Sequence, residues 1–197
     1  MRPPLAPDDI TLGLLAGGRG SRLGGVDKAW LERDGIAQVQ RWRQRFAAET
    51  TTVLVSANRD PDRYARAGLV AVADRTAGDF GPVAGLDALA TACRTHWLLT
   101  LPVDLVGVNE CLLPTLIAQP HDDGAFAIDD DGVQPLVALW RVDALREACA
   151  LSIANGEHAV QRLSCRDAMA AGGFPALRFG NLNTPDDLAA AGVVVPH

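Results

Sequence analysis

Four short apolar or β-branched runs, residues 10–15, 51–56, 69–73 and 97–101, alternate with stretches of helical periodicity, and this alternation limits the possible folds more than any other feature. A run of about four to eight such residues bounded by turn signals reads as a buried strand. Between the first two, residues 36–48 carry Ile36, Val39, Trp42 and Phe46 with Arg and Gln interspersed, the spacing of an amphipathic helix. Pro82 opens a second helix to Cys93, since proline suits the first helical turn, and residues 109–118 read as a third. Strands that alternate with helices imply an α/β fold: a mainly parallel sheet covered on both faces, hence a three-layer αβα sandwich. Residues 125–128 and 135–140 flank Asp129-Asp130-Asp131-Gly132, a hairpin signal that places one antiparallel region near the sheet edge. The three aspartates are expected in a solvated turn, not around a metal. Residues 142–150 and 159–171 read as helices. Thr184-Pro185-Asp186-Asp187 reads as a capped helix start with acidic residues at its positive end.

With 197 residues and no composition break, the chain is expected to be one domain, residues 1–197. A net charge of −6 argues against a nucleic-acid partner, which calls for a basic face. No apolar run approaches the roughly 20 residues needed to cross a bilayer, so no membrane partner is expected. Cys93, Cys111, Cys149 and Cys165 lack metal-ligand spacing and read as reduced thiols. With no signal-peptide pattern in residues 1–9, this points to the cytoplasm. His96, His121, His158 and His197 form no pattern and are expected to be structural or solvent-facing. No Gly-x-Ser-x-Gly elbow supports hydrolase chemistry.

The first run, ending at Leu15, passes into Ala16-Gly17-Gly18-Arg19-Gly20-Ser21-Arg22-Leu23-Gly24-Gly25-Val26-Asp27-Lys28. Glycines let backbone amides approach phosphate oxygens closely, and Arg22 and Lys28 can neutralise the anion. Neither common phosphate loop matches. Leu23 stands where a dinucleotide fingerprint needs its third glycine, and Val26 stands where a Walker loop needs lysine. Of the 18 basic residues 17 are arginine, and Lys28 is the only lysine. Position 28 therefore calls for a compact ammonium on a flexible stem.

The Leu-Ala-Gly-Gly, Arg-x-Gly-Gly and Asp-Lys runs resemble the signature of the molybdenum cofactor guanylyltransferases. Ser56-Ala57-Asn58-Arg59, Asp74, Gly81-Pro82-Val83-Ala84-Gly85, Asp104, Gln134 to Leu139 and Asn181 to Pro185 continue the match in order along nearly the whole chain. The resemblance implies a Rossmann-like, nucleotide-diphospho-sugar transferase type of sandwich. It also implies transfer of GMP from Mg²⁺-bound GTP to molybdopterin, with pyrophosphate leaving. Lys28, Arg22 and Asp104 would be catalytic, and Asp104 would hold the metal. Leu15, Ala16, Gly17, Gly18, Lys28, Ser56, Asp74 and Asp104 would bind the nucleotide. Gly25, Gly81, Asn181 and Asn183 would bind the pterin substrate, the two asparagines pointing to one side of an extended segment. The chain would act as a monomer that meets cofactor-synthesis proteins and acceptor molybdoenzymes.

Three departures from the family pattern stand out. Ser56 stands where the family often has Asn, Gln134-Pro135-Leu136 replaces His-Pro-Thr, and His158-Ala159 occupies a segment that is often basic. A cytidylyltransferase for the same cofactor, a sugar-phosphate nucleotidyltransferase and a non-catalytic cofactor carrier remain alternatives.

Overall fold

The computed structural model describes residues 5–17, 25–76, 78, 80–119, 122–164, 169–174 and 178–196. Seven strands form the main sheet: β1 (Ile10–Leu15), β4 (Thr52–Ser56), β5 (Val70–Val72), β6 (Trp97–Pro102), β8 (Gly124–Asp129), β9 (Gly132–Arg141) and β10 (Met169–Gly173). Their order across the sheet is β10-β8-β9-β6-β1-β4-β5. β1 lies parallel to both β4 and β6, and β4 is parallel to β5. β9 runs antiparallel to both β6 and β8, and β10 restores the parallel direction beside β8. The antiparallel region lies toward one side as the hairpin signal implies, with β9 third from that edge. Two small pairs stand apart: β2 (Glu32–Arg33) with β3 (Ile36–Ala37), and β7 (Leu105–Val106) with β11 (Gly180–Asn181).

The helices are α1 (Gln38–Arg45), α2 (Pro61–Arg66), α3 (Pro82–Ala92), α4 (Leu112–Ile117), α5 (Val142–Ala154), α6 (Gln161–Ser164) and α7 (Pro185–Ala190). Alternation along the strands divides them between two faces. Leu12, Leu14, Leu99 and Leu101 pack with Trp42 and Phe46, with Tyr64 of α2, and with Leu112 and Leu116 of α4. On the other face Leu54, Leu98 and Trp140 pack with Leu86 and Leu89 of α3 and Leu145 and Cys149 of α5. The result is a three-layer sandwich. Gly13 shows how tightly α3 lies on the sheet: a Cβ there would come within 3.2 Å of Leu89 Cδ1 and 3.0 Å of Leu98 Cδ1.

Three sequence expectations are corrected. Ile36 and Ala37, expected at the start of a helix, are strand β3, because they pair with Glu32 and Arg33 before α1 begins at Gln38. Residues 159–171 were expected to be one helix, but α6 ends at Ser164 and Met169–Gly173 form an edge strand. The edge of β8 supplies the backbone partners for this strand, and its small residues let Leu116 of α4 come within 3.1 Å of where a Gly172 Cβ would stand. Asp129 is not in a solvated turn; it is buried, and its carboxylate accepts hydrogen bonds from Phe179 N (2.7 Å), Gln134 Nε2 (2.9 Å) and Asp131 N (3.0 Å). Burial works to raise its pKa, but these hydrogen bonds outweigh it and hold the carboxyl below the ordinary value.

Among the described residues no helix is long and apolar enough to cross a membrane. Cys93, Cys111 and Cys149 are free thiols, while Cys165 lies outside the described residues.

Candidate active site

In a parallel sheet of this kind the strand carboxyl ends open onto the ligand crevice. Here backbone hydrogen bonds tie those ends together. Ala16 N donates to Ser56 O (3.0 Å), Ala57 N to Val72 O (2.9 Å) and Val103 N to Leu15 O (3.0 Å). The segments after β1, β4, β5 and β6 are thereby brought to one edge. A shallow cleft at that edge is lined by Ala16, Gly17, Asp27, Ala57, Asn58 and Arg59.

Lys28 opens a single 3₁₀ turn, Lys28–Trp30, that Asp27 caps by accepting from Ala29 N (3.0 Å). Its ammonium donates to Asp104 Oδ2 and to Asn183 Oδ1, each at 2.7 Å. Lys28 and Asp104 are each 19% exposed, so the pair is sheltered but reachable. Asp104 is fixed from both sides. Trp42 Nε1 of α1 donates to Val103 O (3.0 Å), and Leu182 N donates to Asp104 O (2.9 Å). Asn183 arrives through the pairing of β11 with β7 and is held where α7 begins. Its amide and that of Thr184 donate to Asp187 Oδ2, and Asp187 N donates back to the Thr184 hydroxyl. These hydrogen bonds hold the Asp187 carboxyl below its ordinary pKa.

On the other side of the cleft, Asn58 and Asp74 bond reciprocally. Asn58 Nδ2 donates to Asp74 Oδ2 (2.8 Å), and Asp74 N donates to Asn58 Oδ1 (2.9 Å). The pair joins the end of β4 to the end of β5.

Residues 13–169 match the model of the MobA-like NTP transferase domain. The chain belongs to that family. A molybdenum cofactor guanylyltransferase of Cereibacter sphaeroides is 38% identical over 184 residues, covering 90% of this chain and 93% of the relative. One from Cupriavidus pinatubonensis is 32% identical over 193 residues, covering 93% of this chain and 96% of the relative. The crystal structure of molybdopterin-guanine dinucleotide biosynthesis protein A from Archaeoglobus fulgidus superposes with a TM-score of 0.70 at 19% identity, covering 92% of this chain and 96% of that one, a likeness of fold.

Within this MobA-like domain the structure gathers some expected residues and leaves others apart. Lys28, Asp104 and Asn183 form one hydrogen-bonded centre although 155 positions separate Lys28 from Asn183. Leu15, Ala16 and Gly17 lead from β1 to the cleft, and Asp74 stands beside it through Asn58. Ser56 is 1% exposed, with its hydroxyl 2.7 Å from where a Gly85 Cβ would lie; it faces α3 rather than open cleft. Asn181 is exposed on β11, and among the described residues its side chain has no hydrogen-bond partner. Gly25 and Gly81 are exposed, both at positive φ and with open space where a side chain would be. Gly18 and Arg22 lie outside the described residues.

Asn58, Arg59 and Asp27 line the cleft but were not singled out as site residues from the sequence. Their signal was their position: Asn58 and Arg59 follow a strand end directly, and Asp27 precedes the only lysine.

The donor chemistry at Asp104 suits a small hard cation. Its Oδ1 has no hydrogen-bond partner among the described residues, and the Asn183 amide oxygen is drawn to the same ammonium. Among the described residues no three His, Cys, Asp or Glu side chains cluster as a complete metal cage. Mg²⁺ needs none, because one or two carboxylates with phosphate oxygens and water satisfy it.

Proposed function

We propose that this chain transfers GMP from GTP to the phosphate of molybdenum-bearing molybdopterin, forming the guanine dinucleotide and pyrophosphate, in the cytoplasm and with Mg²⁺. The observation that carries the reading is the Lys28–Asp104–Asn183 centre beside the cleft at the ends of β1 and β4, in a chain of this family.

The acceptor's phosphate oxygen attacks the α-phosphorus of GTP, the bond to the bridging oxygen breaks, and pyrophosphate leaves with that electron pair. A phosphate nucleophile is already ionised, so no general base is required of the chain. The chain's task is to position two anions and neutralise their charge. Lys28 uses two of an ammonium's three N–H donors on Asp104 and Asn183, which leaves one for a phosphate oxygen. The backbone amide of Gly17, at the cleft wall with no side chain in the way, can approach the triphosphate closely. Asp104, with Asn183 beside it, would hold Mg²⁺, which supplies Lewis-acid stabilisation of charge on the phosphates when bound. Asn183, on the C-terminal segment, ties the acceptor side of the site to Lys28, and Asp74, steadied by Asn58, faces the nucleoside.

Mass spectrometry of a reaction containing GTP, Mg²⁺ and molybdenum-loaded molybdopterin tests the reading. An acceptor mass increased by one GMP unit, and dependent on the metal, is expected. Binding of both GTP and pterin with no mass increase would replace this reading with that of a cofactor carrier.

A further inference from the structure

Tyr64, the only tyrosine of the chain, is 0% exposed, yet its hydroxyl is not spent on the core. It donates to Asp27 Oδ2 (3.2 Å), while Asp27 Oδ1 accepts from Ala29 N (3.0 Å). The Tyr64 ring packs at 5.0 Å against Trp30, the last residue of the turn that begins with Lys28. The Arg63 guanidinium covers the Trp30 ring at 4.3 Å. Helix α2 therefore grips the Asp27-to-Trp30 turn at both ends, by a hydrogen bond at Asp27 and by rings at Trp30. Lys28 lies between these grips.

We propose that Tyr64 is a positioning residue for the transfer reaction: through Asp27 it fixes the turn that aims the Lys28 ammonium at Asp104, Asn183 and the entering phosphate. The inference rests on the function proposed above, since it assigns Tyr64 a part in that chemistry. An acceptor that is itself charged strengthens the hydrogen bond, and a capped turn that loses one of its two anchors gains freedom to rotate. Burial, with the Asp27 charge next to it, pushes the Tyr64 phenol above its ordinary pKa, so the hydroxyl keeps the proton it donates.

Tyr64→Phe removes the hydroxyl and keeps the ring on Trp30. Because Lys28 is the only lysine, protein labelled with ¹³C-lysine reports this one side chain. The Lys28 Cε resonance is expected to broaden or shift in the variant while the thermal midpoint stays close to that of the parent. In pyrophosphate-release assays kcat should fall about tenfold, the scale of one hydrogen bond to a charged group, with the KM for GTP little changed. In a Lys28→Ala background the same substitution should cost nothing further, whereas a merely structural loss would lower both backgrounds alike. An unchanged Lys28 resonance, or an equal loss in both backgrounds, would overturn the positioning role. A parent protein without turnover would instead sink the guanylyltransferase reading, and the lysine resonance would still decide whether Tyr64 sets Lys28.

Discussion

The Lys28 ammonium is shared by two oxygens that lie far apart in sequence, so its replacement has a definite expected effect. Lys28→Ala should lower turnover about 100- to 1000-fold, the usual cost of deleting one preorganised charge contact. Lys28→Arg should rescue little, because a planar guanidinium cannot sit as a point donor 2.7 Å from both Asp104 and Asn183. Initial rates of the two variants against the parent check both statements. Lys28 was legible in the sequence because it is the exception in an arginine-rich chain. Asp129 was not. Its burial depends on Phe179, 50 positions later, and no local pattern around the Asp129-Asp130-Asp131 run reports that return. Since the fold depresses the Asp129 pKa, its contribution to stability is complete above the ordinary carboxyl value of 3.8 and is lost as pH falls below that value and through the depressed pKa of the folded state. Asp129→Asn should therefore flatten the acid limb of a pH–stability profile, measured by denaturant unfolding between neutral and acidic pH.

Helix α7 places Asn183 by means of its cap. Thr184 and Asp187 form a reciprocal capping box, and Pro185 follows the cap. Thr184→Ala should cost about 1 kcal/mol of stability, as cap deletions do, and should weaken turnover because Asn183 shares the Asp187 carboxylate. Differential scanning calorimetry alongside the rate assay checks both effects. This helix start was legible from Thr-Pro-Asp-Asp alone, since every position obeys a capping rule. β10 was not, because the alanine pair and the glycine pair of Met169–Gly173 carry no β signal of their own. What makes them a strand is the edge of β8 and the space under α4. β3 failed for a related reason: Ile36 and Ala37 fit the helical stripe of α1 as well as they fit the short pairing with β2. Helix α3 offers a test of packing against the site. Gly85→Ala would set a Cβ 2.7 Å from Ser56 Oγ and 3.0 Å from Leu15 Cδ2, so it should destabilise the protein and disturb the end of β1.

Across the whole molecule the parallel centre of the sheet is buried on both faces, whereas the C-terminal segment rests on a small cluster of Leu31, Leu182, Leu188 and Val193. Hydrogen exchange should accordingly be slowest in β1 and β6 and faster in α7, so that the Asn183 arm opens without unfolding of the sheet. Fast exchange in β1, equal to that of α7, would contradict this division. The layered α/β architecture was legible because strand–helix alternation needs only local periodicity. Strand order, and the meeting of Lys28 with Asn183, depend on contacts between distant segments, which no single stretch encodes. The family signature gives Lys28 a place at the nucleotide and Asn183 one at the pterin, and the hydrogen bond between them is seen only in the structure. Guanylyl transfer at the Lys28–Asp104 centre can be measured as initial rates of pyrophosphate release with Mg²⁺ and molybdenum-loaded molybdopterin, comparing GTP, CTP and ATP. Release with GTP well above that with CTP or ATP is expected, as is its loss in Lys28→Ala. Release with CTP in preference to GTP would contradict the choice of guanine, and release with none of the three would contradict catalysis.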